Sequence, residues 1–379
     1  MTMQLVESLM CAVLRGERPG WPGTDDPALV DAFLERSEYH GVQALLYERM
    51  HDEPDWPPAL LDALHRQAIA GTMWELRHQQ VVAEMLAELA RVGIEPVLFK
   101  GTALAYSLYP GPALRTRGDT DLIIPFQERT RAMDALAALG FTRALELGEL
   151  MSYQACLTRE VAGGGEHTLD LHWKISNSEL LSRLFDYDEL REAAVPLPAL
   201  SPHAFGAGLV HALLIACMHR AGHKQAPYFV DGVAHYSGDR LIWLYDIHLL
   251  AQALSAAQWD EFLRLARQKG LRAVCLEGIE QTRSRFATPV PQQVLDELGW
   301  SGSLEPAAQY LDARHLKRRW LDLCAHQGLA GKLRFARELA FPPATYMRER
   351  FPHARPNWLP WLYILRGLGG LRRRVEHHH

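Results

Sequence analysis

Three carboxylates embedded in apolar, strand-like runs constrain this chain more than any other feature. Asp119-Thr120-Asp121 leads directly into Leu122-Ile123-Ile124, and Asp170 stands between Leu169 and Leu171, just before His172-Trp173. Side chains at i and i+2 of a strand share a face, so Asp119 and Asp121 project together. Like charges a few ångströms apart raise each other's pKa, and a buried carboxylate without a partner is costly. If the two strands are neighbours, the three carboxylates converge on a place that calls for a cation. Hard oxygen donors that leave positions open for water and phosphate suit magnesium or manganese, and two such ions can clamp the attacking and leaving oxygens of a displacement at phosphorus.

The complementary part lies upstream. Val97-Leu98-Phe99 reads as a short buried strand, and Lys100-Gly101-Thr102 as its junction with a helix. A helix N-terminus offers free N–H groups and a positive dipole end to an incoming phosphate. Gly101 permits close approach and Thr102 brings a hydroxyl. Lys100 and Arg117 are cations able to neutralise triphosphate oxygens or to hold the carboxylates together before metal binds.

Around this segment the chain divides by periodicity. From about residue 4 to 93 apolar residues recur at helical spacing, as in Leu76, Val81, Val82, Met85, Leu86 and Leu89, with breaks at 18–23 and 54–58. Gly93 ends the last of these helices. Between 96 and 173 the pattern predicts a strand at 96–99, a helix from Thr102 to about Tyr109, a strand at 120–124, a helix at about 127–139, and strands near 141–145, 153–160 and 167–173. Gly163-Gly164-Gly165 suits a hairpin connection between the last two strands. From Ser201 onward no strand run is expected, and 203–221, 240–254, 258–268, 270–285, 291–299 and 305–340 carry helical periodicity. The fold class is α+β: a helical N-terminal region over 1–93, a mixed-sheet unit over 94–200, and a helical C-terminal domain over 201–374. Residues 375–379, Val375-Glu376 and three histidines, read as a tag remnant.

Composition narrows the functional classes. A formal charge of −5 argues against a protein that holds nucleic acid by bulk electrostatics. The five cysteines are dispersed and never form CxxC, so neither a zinc site nor a disulfide framework is suggested, and a reducing, cytoplasmic setting fits. The N-terminus has no cationic start followed by an apolar block, and no window approaches the roughly 20 apolar residues that span a bilayer.

A glycine turn after a strand, a strand bearing DxD and a later strand bearing another Asp together resemble the DNA polymerase beta-like nucleotidyltransferase superfamily. Within it the sequence resembles the uncharacterised nucleotidyltransferase family. The matching residues are Lys100-Gly101, Ala103-Leu104, Tyr109-Pro110, Arg117, Asp119-Thr120-Asp121-Leu122 and Asp170-Leu171-His172-Trp173. The likeness extends to His211, His219 and His223, followed by Trp243-Leu244-Tyr245-Asp246, and covers roughly residues 75 to 255. It departs from the superfamily in having Gly101-Thr102 where Gly-Ser or Gly-Gly is usual and in the longer distance from there to Asp119, and from the family in the extended segment from Lys224 to Asp239 between the histidines and Trp243.

The resemblance implies a polymerase beta-like mixed sheet and metal-dependent transfer of a nucleoside monophosphate from a nucleoside triphosphate, ATP being one such donor, to an acceptor hydroxyl. Asp119, Asp121 and Asp170 would be the catalytic and metal-binding carboxylates. Lys100, Gly101, Thr102, Arg117, His172 and Asp246 would serve the nucleotide site. Family members occur among genes for peptide or polysaccharide maturation, which implies a small-molecule, sugar or peptide acceptor. Phosphoryl transfer, inactivation of transfer RNA and a non-catalytic module of this fold that binds a peptide or partner protein remain alternatives.

Several residues carry a second reading. His172 shares a strand face with Asp170 and is expected to orient that carboxylate rather than to contact the acceptor. His219 and His223 have the i, i+4 spacing of a chelating pair, but structural or substrate-contact roles suit them better than zinc. Asp246 sits on an otherwise apolar helix and needs a partner, from the catalytic unit, from the nucleotide or in an ordinary ion pair. The stretch Trp358 to Arg366, continuing to Arg372-Arg373-Arg374, is aromatic and basic, the character of a membrane or partner surface or of a packed helix with a solvated end.

Overall fold

The computed structural model describes residues 2–23, 26–143, 150–160, 165–224, 228–230, 233–235, 238–300, 305–351, 354–355 and 358–366. Four helices precede the sheet: α1 (Thr2–Leu14), α2 (Pro27–His40), α3 (Gln43–Met50) and α4 (Pro58–Arg91). Local chemistry sets their ends. Asp26 caps α2 by accepting from the Ala28 N–H, and Gly41 closes it at φ 68°. Pro58 opens α4, and Gly93, at φ 75°, turns the chain out of it.

The long helix α4 serves two cores. Leu60 and Leu64 pack with α1–α3, whereas Val81, Val82, Met85, Leu86 and Leu89 cover one face of the sheet. Leu76, expected among the packing residues, falls between the two contacts and is exposed.

The strands are β1 (Val97–Phe99), β2 (Asp119–Ile123), β3 (Thr142–Arg143), β4 (Gln154–Glu160), β5 (Glu166–His172), β6 (Val195–Pro196) and β7 (Phe205–Gly206). They form one mixed sheet in the order β3-β4-β5-β2-β1-β7-β6. β2 runs parallel to β5 and antiparallel to β1, while β4 and β5 are antiparallel, with Glu160 opposite Glu166. That pairing makes β4 and β5 a hairpin; Gly163 and Gly164 lie outside the described residues.

Helix α5 (Lys100–Ser107) follows β1, α6 (Arg129–Ala138) follows β2, and α7 (Tyr187–Glu192) precedes β6. The helical half comprises α8 (Leu209–His223), α9 (Leu241–Ala253), α10 (Ala256–Lys269), α11 (Arg272–Phe286), α12 (Gln292–Gly299), α13 (Pro306–Asp312), α14 (His315–Ala325), α15 (Gly328–Ala340) and α16 (Ala344–Arg350).

Strand alternation sorts the sheet's side chains. Leu98, Leu122, Leu157, Leu169 and Leu171 meet α4 and α6 in one core, while Val97, Phe99 and Ile123 join the core shared by α1–α3 and α8–α13. Asp119 and Asp121 have the parity of Ile123, so they face the helical half.

The structure corrects two expectations in the second half. Strands occur after Ser201: β7 pairs with β1 through Gly206 opposite Leu98, and β8 (Tyr228–Val230) pairs with β9 (Val233–His235). Two- and three-residue strands are too short to display a period of two. The stretch expected as one helical run over 305–340 is three helices, because the backbone is extended at Ala313-Arg314 and again at His326-Gln327.

Candidate active site

The site begins where β1 becomes α5. Lys100 occupies the left-handed region at φ 59°, a conformation that costs a side-chain-bearing residue roughly 1–2 kcal/mol and persists only where surroundings enforce it. Its Nζ donates to Asp121 Oδ1 at 2.6 Å. Gly101 is closely covered: a Cβ there would lie 3.4 Å from the Arg117 side chain.

Parallel pairing sets Asp121 directly opposite Asp170 on β5. His172, two residues on, reaches across to Asp121 with Nε2 3.0 Å from Oδ1. It was expected to orient Asp170; residues at i and i+2 of one strand are about 7 Å apart, so the neighbouring strand supplies the nearer carboxylate. Asp121, Asp170 and His172 each bring a ligand atom within 4.8 Å of the others. Asp170 also accepts from Gln154 Nε2 at 2.8 Å. Asp119 stands at the solvent-contacting start of β2, outside that tight trio but within reach of the charges of Asp121 and Asp170.

The electrostatics are unbalanced. Burial, the Asp121 charge and the neighbouring Asp170 push the Asp119 carboxyl up to about 6, although Lys100 pulls the other way. Asp119 nevertheless touches water, at the outer edge of the cluster. Asp170 is raised by burial and by Asp121. Burial would raise Asp121 too, but the Lys100 ammonium and the His172 hydrogen bond outweigh it and hold that carboxyl well below its usual range. One ammonium thus faces three carboxylates. The donor set is oxygen-rich with one imidazole, and the buried Nδ1 of His172 has no hydrogen-bond partner. These residues fit a divalent cation, which would relieve the two raised carboxylates.

Behind the turn lies a buried polar network. Thr102 Oγ1 meets Thr120 Oγ1 at 3.0 Å and accepts from Arg117 Nε at 3.0 Å, so its hydroxyl is engaged within the protein. Thr120 in turn meets His78 Nε2 at 2.8 Å. Arg117 pairs with Glu75 of α4 at 2.6 Å and donates to the carbonyls of Pro112 and Arg115. The structure therefore directs Arg117 away from the carboxylates. Glu75 and His78 were not anticipated, although a carboxylate and an imidazole three residues apart on a helix that covers the sheet were a visible signal.

The arginine whose charge reaches Asp119 is Arg115. It forms a buried pair with Asp246 of α9, at 2.7 Å, and Tyr109 Oη donates to the same carboxylate at 2.7 Å. Asp246 thus has its partners in the segment between α5 and β2. On α8, the rings of His219 and His223 lie 4.4 Å apart and pack against Trp243 of α9. Burial lowers the His219 imidazole, and His223 is lowered to about 4 by its surroundings although it keeps contact with solvent at the end of α8; both sense Lys100 and Asp121. His211 is elsewhere, 3.1 Å from Glu189. A separate surface pocket lined by Tyr47, His51, Trp56 and His65 shares no residue with the cluster.

The sequence pattern described as an uncharacterised nucleotidyltransferase matches residues 26–287. No curated protein matches the chain.

Proposed function

Since the chain belongs to the uncharacterised nucleotidyltransferase family, we propose that it transfers a nucleoside monophosphate from a nucleoside triphosphate to the hydroxyl of a small molecule, sugar or peptide, with magnesium or manganese as the required ion. The observation that carries this reading is the convergence of Asp121, Asp170 and His172 within 4.8 Å beside a strand–turn–helix junction bearing Lys100. Asp121 and Asp170, with Asp119 at the mouth, would hold the ion, and His172 would orient Asp121 or add a ligand. The ion would neutralise phosphate charge and lower the acceptor hydroxyl's pKa.

The protein's own groups have distinct tasks in this reading. The first turn of α5 presents backbone N–H groups to the triphosphate, and Gly101 lets Arg117 lie close behind that turn. Lys100, released from Asp121 once another cation stands there, supplies a mobile positive charge to the phosphates. Arg117 and Thr102 hold the turn against α4 and β2 from behind. Asp246 acts through Arg115, fixing the segment that leads into β2 rather than touching nucleotide. The neutral imidazoles of His219 and His223 form the opposite wall.

Mass spectrometry tests this function directly, using mixed nucleoside triphosphates, manganese and a panel of hydroxyl-bearing peptides, sugars and polyols. The expected products are nucleotidylated acceptor and pyrophosphate. Phosphorylated acceptor with nucleoside diphosphate would replace this reaction with a kinase activity, and unmodified acceptors throughout would favour a binding module.

A further inference from the structure

Charge is distributed very unevenly along the chain. Residues 314–374 contain fourteen Lys and Arg against three Asp and Glu, in a protein whose overall formal charge is −5. This stretch lies wholly outside the matched residues 26–287. Apolar exposure is concentrated in the same place: of the sixteen large apolar side chains exposed among the described residues, nine fall within 316–365.

These side chains are not the inner faces of their helices. α14 fully buries only Asp322 and α15 only Phe335, leaving Leu316 and Trp320 outward on one and Leu329 and Leu333 outward on the other. In each pair the spacing is i, i+4, which makes one stripe. The helical stretch at 359–366 packs inward through Leu362, and Tyr363 donates to the Pro342 carbonyl, while Trp358 and Trp361 are 50% and 59% exposed. Arg314, Lys317, Arg337 and Arg348 are exposed among these groups.

We propose that the C-terminal lobe, residues 314–366, docks on an anionic lipid surface, with its exposed Trp and Leu side chains entering the interface and its cations meeting the headgroups. Trp is favoured at the headgroup boundary, and apolar insertion beside clustered Lys and Arg is the pattern of proteins that lie on membranes. Exposed leucines add little to an interface with RNA, which is held through phosphates and stacked bases. A symmetric pairing of two such lobes would bring like charge against like. Among the described residues no helix is long and apolar enough to cross a membrane, so the contact is peripheral.

The test is co-sedimentation of the full chain with vesicles of phosphatidylcholine alone or with phosphatidylglycerol added. The proposal requires partitioning at least about tenfold stronger onto the anionic vesicles, weakening between about 0.1 M and about 0.5 M salt as the Debye length contracts. A Trp320→Ser, Trp358→Ser, Trp361→Ser variant, shown folded by circular dichroism, must lose roughly tenfold or more of that partitioning. Equal binding to neutral vesicles, no binding to either, or unchanged binding by the triple variant would overturn it. So would analytical ultracentrifugation showing a dimer of the vesicle-free protein that the triple variant no longer forms.

Discussion

Arg115 and Asp246 stand 131 positions apart in the chain and meet in a buried pair, with Arg115 Nη2 2.7 Å from Asp246 Oδ2. This contact joins the segment leading into β2 to α9, and therefore the carboxylate strand to the helical wall facing it. Removing one partner of a buried pair strands the other charge, at a cost of about 3–5 kcal/mol, whereas replacing both with apolar groups is often nearly neutral. Asp246→Asn is expected to lose stability on that scale in urea unfolding, and the Arg115→Met, Asp246→Leu double variant to recover much of it. If Asp246→Asn kept its stability but lost nucleotide affinity, Asp246 would be a ligand contact instead.

Lys100 is the counter-charge of the metal-free cluster. Lys100→Met leaves Asp121 buried beside Asp170 without its 2.6 Å partner, which should destabilise the protein by about 2–4 kcal/mol. A ligand that binds only the folded state stabilises it in proportion to its occupancy. Manganese should therefore raise the melting temperature of Lys100→Met more than that of the parent protein. Equal shifts would mean that the ammonium and the ion do not share the same carboxylates.

Asp119 gives a pH signature. Its carboxyl, raised from 3.8 to about 6, still holds a proton in the folded chain at pH values where the unfolded chain has lost it. Its contribution to stability therefore falls as pH rises from 3.8 to about 6 and stays low above that interval. Asp119→Asn should match the parent protein near pH 4 and exceed it at pH 7.5 in EDTA, by on the order of 1 kcal/mol once solvent screening at this exposed carboxylate is allowed for. A variant less stable at pH 7.5 would show that Asp119 is already paired.

Arg117 and Glu75 form a support whose failure should appear in turnover and stability together. Both side chains are nearly inaccessible, at 2% and 5%, and Arg117 also holds Thr102 at the head of α5. Arg117→Lys keeps a cation for Glu75 but loses the planar set of donors, so partial loss of stability and slower turnover are expected. Glu75→Gln, which cannot touch a nucleotide through Arg117's place behind the turn, should slow turnover similarly. If only Arg117→Lys did so, Arg117 would have to reach the phosphates.

Much of this architecture was legible because it rests on short-range pattern. Apolar periodicity and the breaks at 18–23 and 54–58 marked the N-terminal helices, though not the turn that parts α2 from α3, and the runs expected as strands at 96–99, 120–124 and 167–173 fold as β1, β2 and β5. The acidic residues interrupting those runs marked the cluster. What remained hidden depends on which side of a turn a side chain takes. Arg115-Thr116-Arg117 offers two arginines, and only the folded chain turns one to Asp246 and the other to Glu75. His172 likewise could be assigned a carboxylate only once the register of β2 against β5 was known. The breaks in 305–340 escaped notice because no proline or obvious turn motif marks Ala313-Arg314, and extended backbone at two residues leaves no periodic trace.

The most direct measurement is calorimetric titration of a non-hydrolysable nucleoside triphosphate into the protein with magnesium, into the protein in EDTA, and into Asp121→Asn with magnesium, each shown to be folded. A metal-bearing triphosphate site built on Asp121 requires clear binding in the first case and at least about tenfold weaker binding in the other two. Equal affinity in all three would contradict it.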